Sequence, residues 1–107
     1  MPQHGFARTS RWEFLGKSTS EGSSSSSVKL DFGLSSASLD AKTRALWPYD
    51  FGIIYSVSLD RESLGTSIVV RNEGGASFDL QVLLHTYLRV KVCANHCPSS
   101  CCLNPNR

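Results

Sequence analysis

The stretch Phe78-Asp79-Leu80-Gln81-Val82-Leu83-Leu84-His85-Thr86-Tyr87-Leu88-Arg89-Val90 alternates with a period of two, the pattern of a strand whose successive side chains point to opposite faces. Phe78, Leu80, Val82, Leu84, Leu88 and Val90 fall on one face, and Gln81, His85, Tyr87 and Arg89 on the other. An imidazole flanked by an amide, a phenol and a guanidinium packs poorly, but it is a good lining for a polyhydroxylated, anionic ligand. The stretch therefore reads as the floor of a site in a β protein.

Outward from it the β pattern continues. Phe51, Ile53, Tyr55, Val57 and Leu59 alternate with smaller residues, Asp60-Arg61-Glu62-Ser63 makes a turn, and Leu64, Thr66, Ile68 and Val70 form a second alternating run. Asn72-Glu73-Gly74-Gly75 predicts the next reversal, because paired glycines accept the positive φ of a hairpin turn. Three consecutive antiparallel strands, each with one apolar face, describe a meander that packs against a second sheet. The expected fold is all-β, an antiparallel β-sandwich or a piece of one.

Nearer the N-terminus, Arg11-Trp12-Glu13-Phe14-Leu15 reads as a short strand, and Val28, Leu30, Phe32 and Leu34 mark another. The serine-rich run from Ser18 to Ser27 between them reads as an exposed, flexible hairpin insertion. Residues 38–46 predict one or two helical turns, with Ser38 as the cap, Leu39 and Leu46 facing inward and Pro48 stopping the helix at Trp47. Trp47, Tyr49 and Phe51 are expected to pack at a strand entrance, and Trp12 to join the core.

A chain of 107 residues is one small domain. Its formal charge of +2, from 11 basic and 9 acidic residues spread along the chain, gives no phosphate-backbone footprint, so nucleic acid is not an expected partner. No apolar run approaches the ~20 residues of a membrane span, and Met1-Pro2-Gln3-His4-Gly5 has no signal-peptide core. The expectation is a cytoplasmic protein without a membrane partner. All 4 cysteines lie at or beyond Cys93, which divides a cysteine-free body, residues 1–92, from a tail, residues 93–107, expected to be disordered. A cysteine-free body suits a reducing compartment.

Three blocks carry a resemblance: Pro2-Gln3-His4-Gly5-Phe6-Ala7-Arg8 through Trp12-Glu13, then Trp47-Pro48-Tyr49-Asp50-Phe51, then Leu83-Leu84-His85-Thr86-Tyr87-Leu88-Arg89-Val90. In this order they resemble successive blocks of the glucose-6-phosphate 1-epimerases, in the aldose 1-epimerase (galactose mutarotase) superfamily. The resemblance implies a galactose mutarotase-like β-sandwich of which residues 1–92 are a central part. It also implies epimerisation of a hexose at its anomeric carbon, where a base takes the proton of the anomeric hydroxyl while an acid protonates the ring oxygen. By the same resemblance His85 fills the position of the acid, a role suited to an imidazole because imidazoles titrate near neutrality. His4 fills that of a second histidine holding the sugar near the ring oxygen. Gln3 and Arg8 match positions that border the substrate, and Arg8 suits a phosphate through its planar donor fork. Gln81 and Tyr87 are further candidates for sugar contact. The implied partner is a hexose 6-phosphate; the chain is expected to act as a monomer with no cofactor and no metal.

The departures matter as much. The family's base is a glutamate in its C-terminal third, and an aspartate that grips the sugar also follows the Leu-His-Thr-Tyr block; neither region is matched here. Glu62 and Glu73 fall in turns and are not expected to replace them. The reading therefore expects a truncated chain without epimerase activity of its own, the alternative being a non-catalytic carbohydrate-binding sandwich fragment. Val92-Cys93 is what a GTATGT splice donor would encode in frame, so the tail is expected to be read-through of an intron. A zinc site built from Cys93, His96, Cys97, Cys101 and Cys102 is the other reading of the tail, although it lacks paired C-x₂-C spacing.

Overall fold

The computed structural model describes residues 3–21 and 26–91. Strands β1 (Glu13–Glu21), β2 (Ser26–Ser35), β3 (Phe51–Leu59) and β4 (Leu64–Asn72) lie side by side in chain order as one antiparallel sheet. The all-β antiparallel class is as expected, and the described residues supply one sheet of it. Residues directly opposed in such a ladder share a face, so the register places Phe32, Tyr55 and Ile68 in one row and Leu34, Ile53 and Val70 in the next. These rows make one face continuously apolar. The other carries Asp31, Ser56 and Ser67, where the buried Ser56 hydroxyl donates to Asp31 Oδ1 at 2.6 Å.

A bulge between Phe14 and Gly16 breaks the β1 register. Gly16 takes φ 146° there, a conformation that only glycine adopts without strain. Phe14 thereby stays opposite Phe32, with ring centroids 5.6 Å apart. Leu15 covers Gly33 on the other face.

Between β2 and β3 a 3-10 turn, Ser36–Ser38, leads into helix α1 (Ala41–Leu46). The cap is Asp40, not Ser38: its Oδ1 accepts the Thr43 N–H at 2.7 Å, a geometry Ser38 is too far upstream to reach. Leu46 does not face inward either, being 51% exposed, because so short a helix turns one face only to the sheet. Pro48 follows the end of the helix as expected, with the Trp47 N–H bonded to Thr43 O. The core centres on Leu34 and on Phe51, which is 0% exposed and whose N–H donates to Ser36 Oγ.

Three further expectations are corrected. The serine-rich run is partly ladder, since Ser18–Glu21 pair with Ser26–Lys29 and the hydroxyls of Ser20 and Ser27 lie 2.6 Å apart; exposed serines do not prevent pairing in a hairpin arm whose partner is adjacent in sequence. The Asp60–Ser63 turn forms as read, whereas Gly74 and Gly75 do not take positive φ. Instead the Asn72 side chain makes an Asx turn, accepting from Gly74 N–H at 3.0 Å and donating to Ala76 O at 2.8 Å, so the chain leaves β4 without reversing into a hairpin. Consequently residues 78–90 form no strand. Alternation gives a segment two faces, but a strand also needs a neighbour for its backbone groups, and among the described residues none pairs with it. No described helix is long and apolar enough to cross a membrane. The cysteines and the tail fall outside the described residues.

Candidate functional site

Aromatic packing fixes two irregular segments over the apolar sheet face. In the first, Phe6 sits between Trp47 and Phe51, with centroids at 5.5 and 5.4 Å, and Trp12 donates its indole N–H to Ala7 O at 2.7 Å while meeting Tyr55 edge-on. These contacts hold the short 3-10 turn Ala7–Thr9, which carries Arg8. Just before it His4 and Gly5 take φ 67° and 72°. For a histidine this left-handed region is uncommon though tolerated, and it bends the chain back toward the sheet.

In the second segment Phe78 packs on Trp47 and Tyr49 at 4.9 and 5.1 Å. Trp47, Tyr49 and Phe51 thus pack at the entrance to β3, as read. From Phe78 the chain runs on past the sheet, and between the two segments lies an open groove of about 1400 Å³. Phe32, Ile53, Tyr55, Ile68 and Val70 form its floor, His4 and Arg8 line one side, and Asp79, Gln81, His85 and Tyr87 line the other. The rings of His85 and Tyr87 lie 4.9 Å apart. The volume exceeds the ~300–1,000 Å³ usual for a small-molecule pocket, which fits a groove open along its length.

Five of the six candidate site residues therefore border one groove: His4, Arg8, Gln81, His85 and Tyr87. Gln3 is exposed and does not line it. The two faces assigned to residues 78–90 are not separated, because Leu80, Val82 and Leu84 line the same groove as Gln81 and His85; without a ladder, the period-two alternation is lost. Tyr87 is 85% exposed and Leu83 74%. Trp12, expected in the core, is half-buried and part of the groove lining.

Asp79 was not among the candidates. It is the one carboxylate among the described lining residues, and its odd-numbered position, shared with Gln81 and His85, was the signal that could have found it. Glu62 lies in the turn closed on Asp60, and Glu73 follows β4 with its N–H on Asp50 O; neither lines the groove. No described group of three His, Cys, Asp or Glu residues is placed to hold a metal ion.

The family profile described as aldose 1-epimerase matches residues 1–100. The match passes through both histidine-bearing blocks and continues beyond residue 92 into the cysteine-rich segment. No solved structure matches the chain. The chain belongs to the aldose 1-epimerase family, isomerases that mutarotate sugars.

Proposed function

We propose that the sugar turned over at this groove is a hexose 6-phosphate, with glucose 6-phosphate the first candidate, and that its α and β anomers interconvert by acid/base ring opening. The observation that supports this reading is the convergence on one groove of the Gln-His-Gly-Phe-Ala-Arg block and the Leu-His-Thr-Tyr block, separated by the whole four-stranded sheet in sequence. In this reading His85 protonates the ring oxygen and takes the proton back on closure. His4 steadies the sugar near that oxygen, Arg8 takes the phosphate through its donor fork, and Gln81 and Tyr87 border the hydroxyls. The binding body is residues 1–92, the tail from residue 93 takes no part, and the setting is the cytoplasm.

Ring opening also needs a base for the anomeric hydroxyl. Among the described residues that line the groove, Asp79 is the one carboxylate. The test follows α-glucose 6-phosphate and α-glucose, each with an anomer-specific dehydrogenase, beside direct binding of both sugars. Preferential binding of the phosphorylated sugar supports the reading; equal or absent binding of both refutes it. Tight binding without anomer exchange would make the chain a carbohydrate-binding member of its family.

A further inference from the structure

Among the residues of the groove floor, Tyr55 alone carries a polar side-chain group. In the ladder it stands between Phe32 on β2 and Ile68 on β4, and along its own strand the same face holds Ile53 and Val57. A phenylalanine would pack there equally well. The Tyr55 hydroxyl takes part in no hydrogen bond among the described residues and is not sealed from solvent, although the residue as a whole is half-buried. An aromatic with a polar tip on an apolar surface ordinarily finds a partner for that tip, and Trp12 beside it does so, donating its indole N–H to Ala7 O at 2.7 Å. We propose that the partner of the Tyr55 hydroxyl is a secondary hydroxyl of the bound sugar, which makes Tyr55 a substrate-binding residue for the family's reaction and one that sets which hexose the groove accepts.

Trp12 meets Tyr55 edge-on, with ring centroids 6.4 Å apart, and the Ala7 carbonyl that holds its indole belongs to the 3-10 turn that carries Arg8. One indole thus ties Tyr55 to the loop of His4 and Arg8, which line the same groove. The phenol ring is held among its sheet neighbours before any ligand arrives, so little side-chain freedom is lost when its hydroxyl is used. A hexose that exchanges anomers keeps its secondary hydroxyls away from the anomeric carbon unchanged throughout. A bond to one of them therefore holds both anomers alike and favours neither direction of the reaction, while a site that hydrogen-bonds a substrate hydroxyl rejects the analogue lacking it. The contact rests on the reading of the groove as a sugar site but not on the phosphate: Arg8 serves the phosphate and Tyr55 the ring. It draws on the sheet and the N-terminal loop alone.

Isothermal titration of the full chain and of Tyr55→Phe with glucose and with glucose 6-phosphate tests it, because the substitution removes the hydroxyl and keeps the ring. The variant is expected to bind both sugars about fivefold more weakly and to melt at an unchanged temperature. Among the monodeoxy analogues of glucose, each lacking one secondary hydroxyl, one is expected to bind the unaltered chain more weakly than glucose does and to lose nothing further when Tyr55 is replaced. A general loosening of the fold cannot imitate that result, since it would weaken every analogue alike. Equal affinities of the two chains for both sugars would overturn the inference. So would a loss confined to the phosphorylated sugar, or a loss added in full to every deoxy analogue. Should the unaltered chain bind glucose and glucose 6-phosphate equally, the phosphate reading falls while the loss in Tyr55→Phe still supports the contact; if it binds neither, both fall.

Discussion

The indole of Trp47 meets the ring of Phe78 edge to face with centroids 4.9 Å apart, and the same indole packs against Phe6 at 5.5 Å. One side chain at the end of α1 thus holds both walls of the groove: the N-terminal loop through Phe6 and the segment bearing His85 through Phe78. The sheet supplies the floor, but Trp47 sets the distance between its two walls.

Trp47→Ala should therefore cost both stability and binding. Trp→Ala in a core costs about 3–5 kcal/mol, and the half-buried indole should fall near the lower figure, read as a lower urea midpoint. Trp47→Phe keeps an aromatic contact and should recover most of it. If sugar binding survived Trp47→Ala at full strength, the two walls would be held by something else.

Asp60 closes the β3–β4 turn, accepting the N–H groups of Glu62 at 2.8 Å and Ser63 at 2.7 Å and the Ser63 hydroxyl at 2.8 Å. These bonds, the Glu62 N–H foremost, hold its carboxyl below the ordinary carboxylate value. A folded-state pKa below the unfolded one means that the stabilisation is present above the unfolded value and is lost as pH falls through the folded one. Asp60→Ala should lower the melting temperature at neutral pH, and the gap to the unaltered protein should close in strong acid. A gap independent of pH would show that the charge of Asp60 has no part in the turn.

Much of this was legible from residue patterns. The β2–β4 alternation and the Asp60 turn are local signals that the sheet preserves, because each strand finds its partner next along the chain. The fate of Phe78–Val90 was not legible, since alternation marks a capacity to pair while pairing itself depends on a neighbour elsewhere. The cap at Asp40 and the bulge at Gly16 were missed for the opposite reason: each rests on one side chain or one φ value that periodicity does not register. At the site, His85, Gln81 and Tyr87 stood out by alternation, with the role of His85 coming from block resemblance as His4 and Arg8 did, and Asp79 escaped notice because it belongs to no block, although it shares the parity of His85.

Arg8 lies on the 3-10 turn Ala7–Thr9 at the groove's N-terminal side, and no described carboxylate lies within ion-pair distance of it. A guanidinium so placed has its donors open to a phosphate. In a catalytically competent setting, Arg8→Ala should raise the Michaelis constant for the hexose 6-phosphate by about tenfold or more while leaving that for the free hexose nearly unchanged, since a charge-assisted bond is worth roughly 1.5–3 kcal/mol. Arg8→Lys should recover only part, because an ammonium lacks the planar fork. Equal effects on both sugars would reassign Arg8 to holding the loop.

His85 tests the chemistry itself. It shares the groove with His4, and its ring lies 4.9 Å from that of Tyr87. If it gives the sugar's ring oxygen its proton, as the proposed reaction requires, His85→Asn keeps a side chain of similar size and hydrogen-bonding ability but removes the proton donor. Sugar affinity should then persist while anomer exchange falls by about 10²-fold or more, the usual worth of a positioned general acid. His4→Asn should show the reverse balance, with weaker binding and a smaller loss of turnover per bound sugar. Where the chain alone exchanges anomers only at the spontaneous rate, the same comparison can be made by binding, and His85→Asn should then leave affinity within a few-fold. Loss of binding in His85→Asn with the sheet intact by circular dichroism would make His85 a positioning residue and leave the acid to be sought at His4.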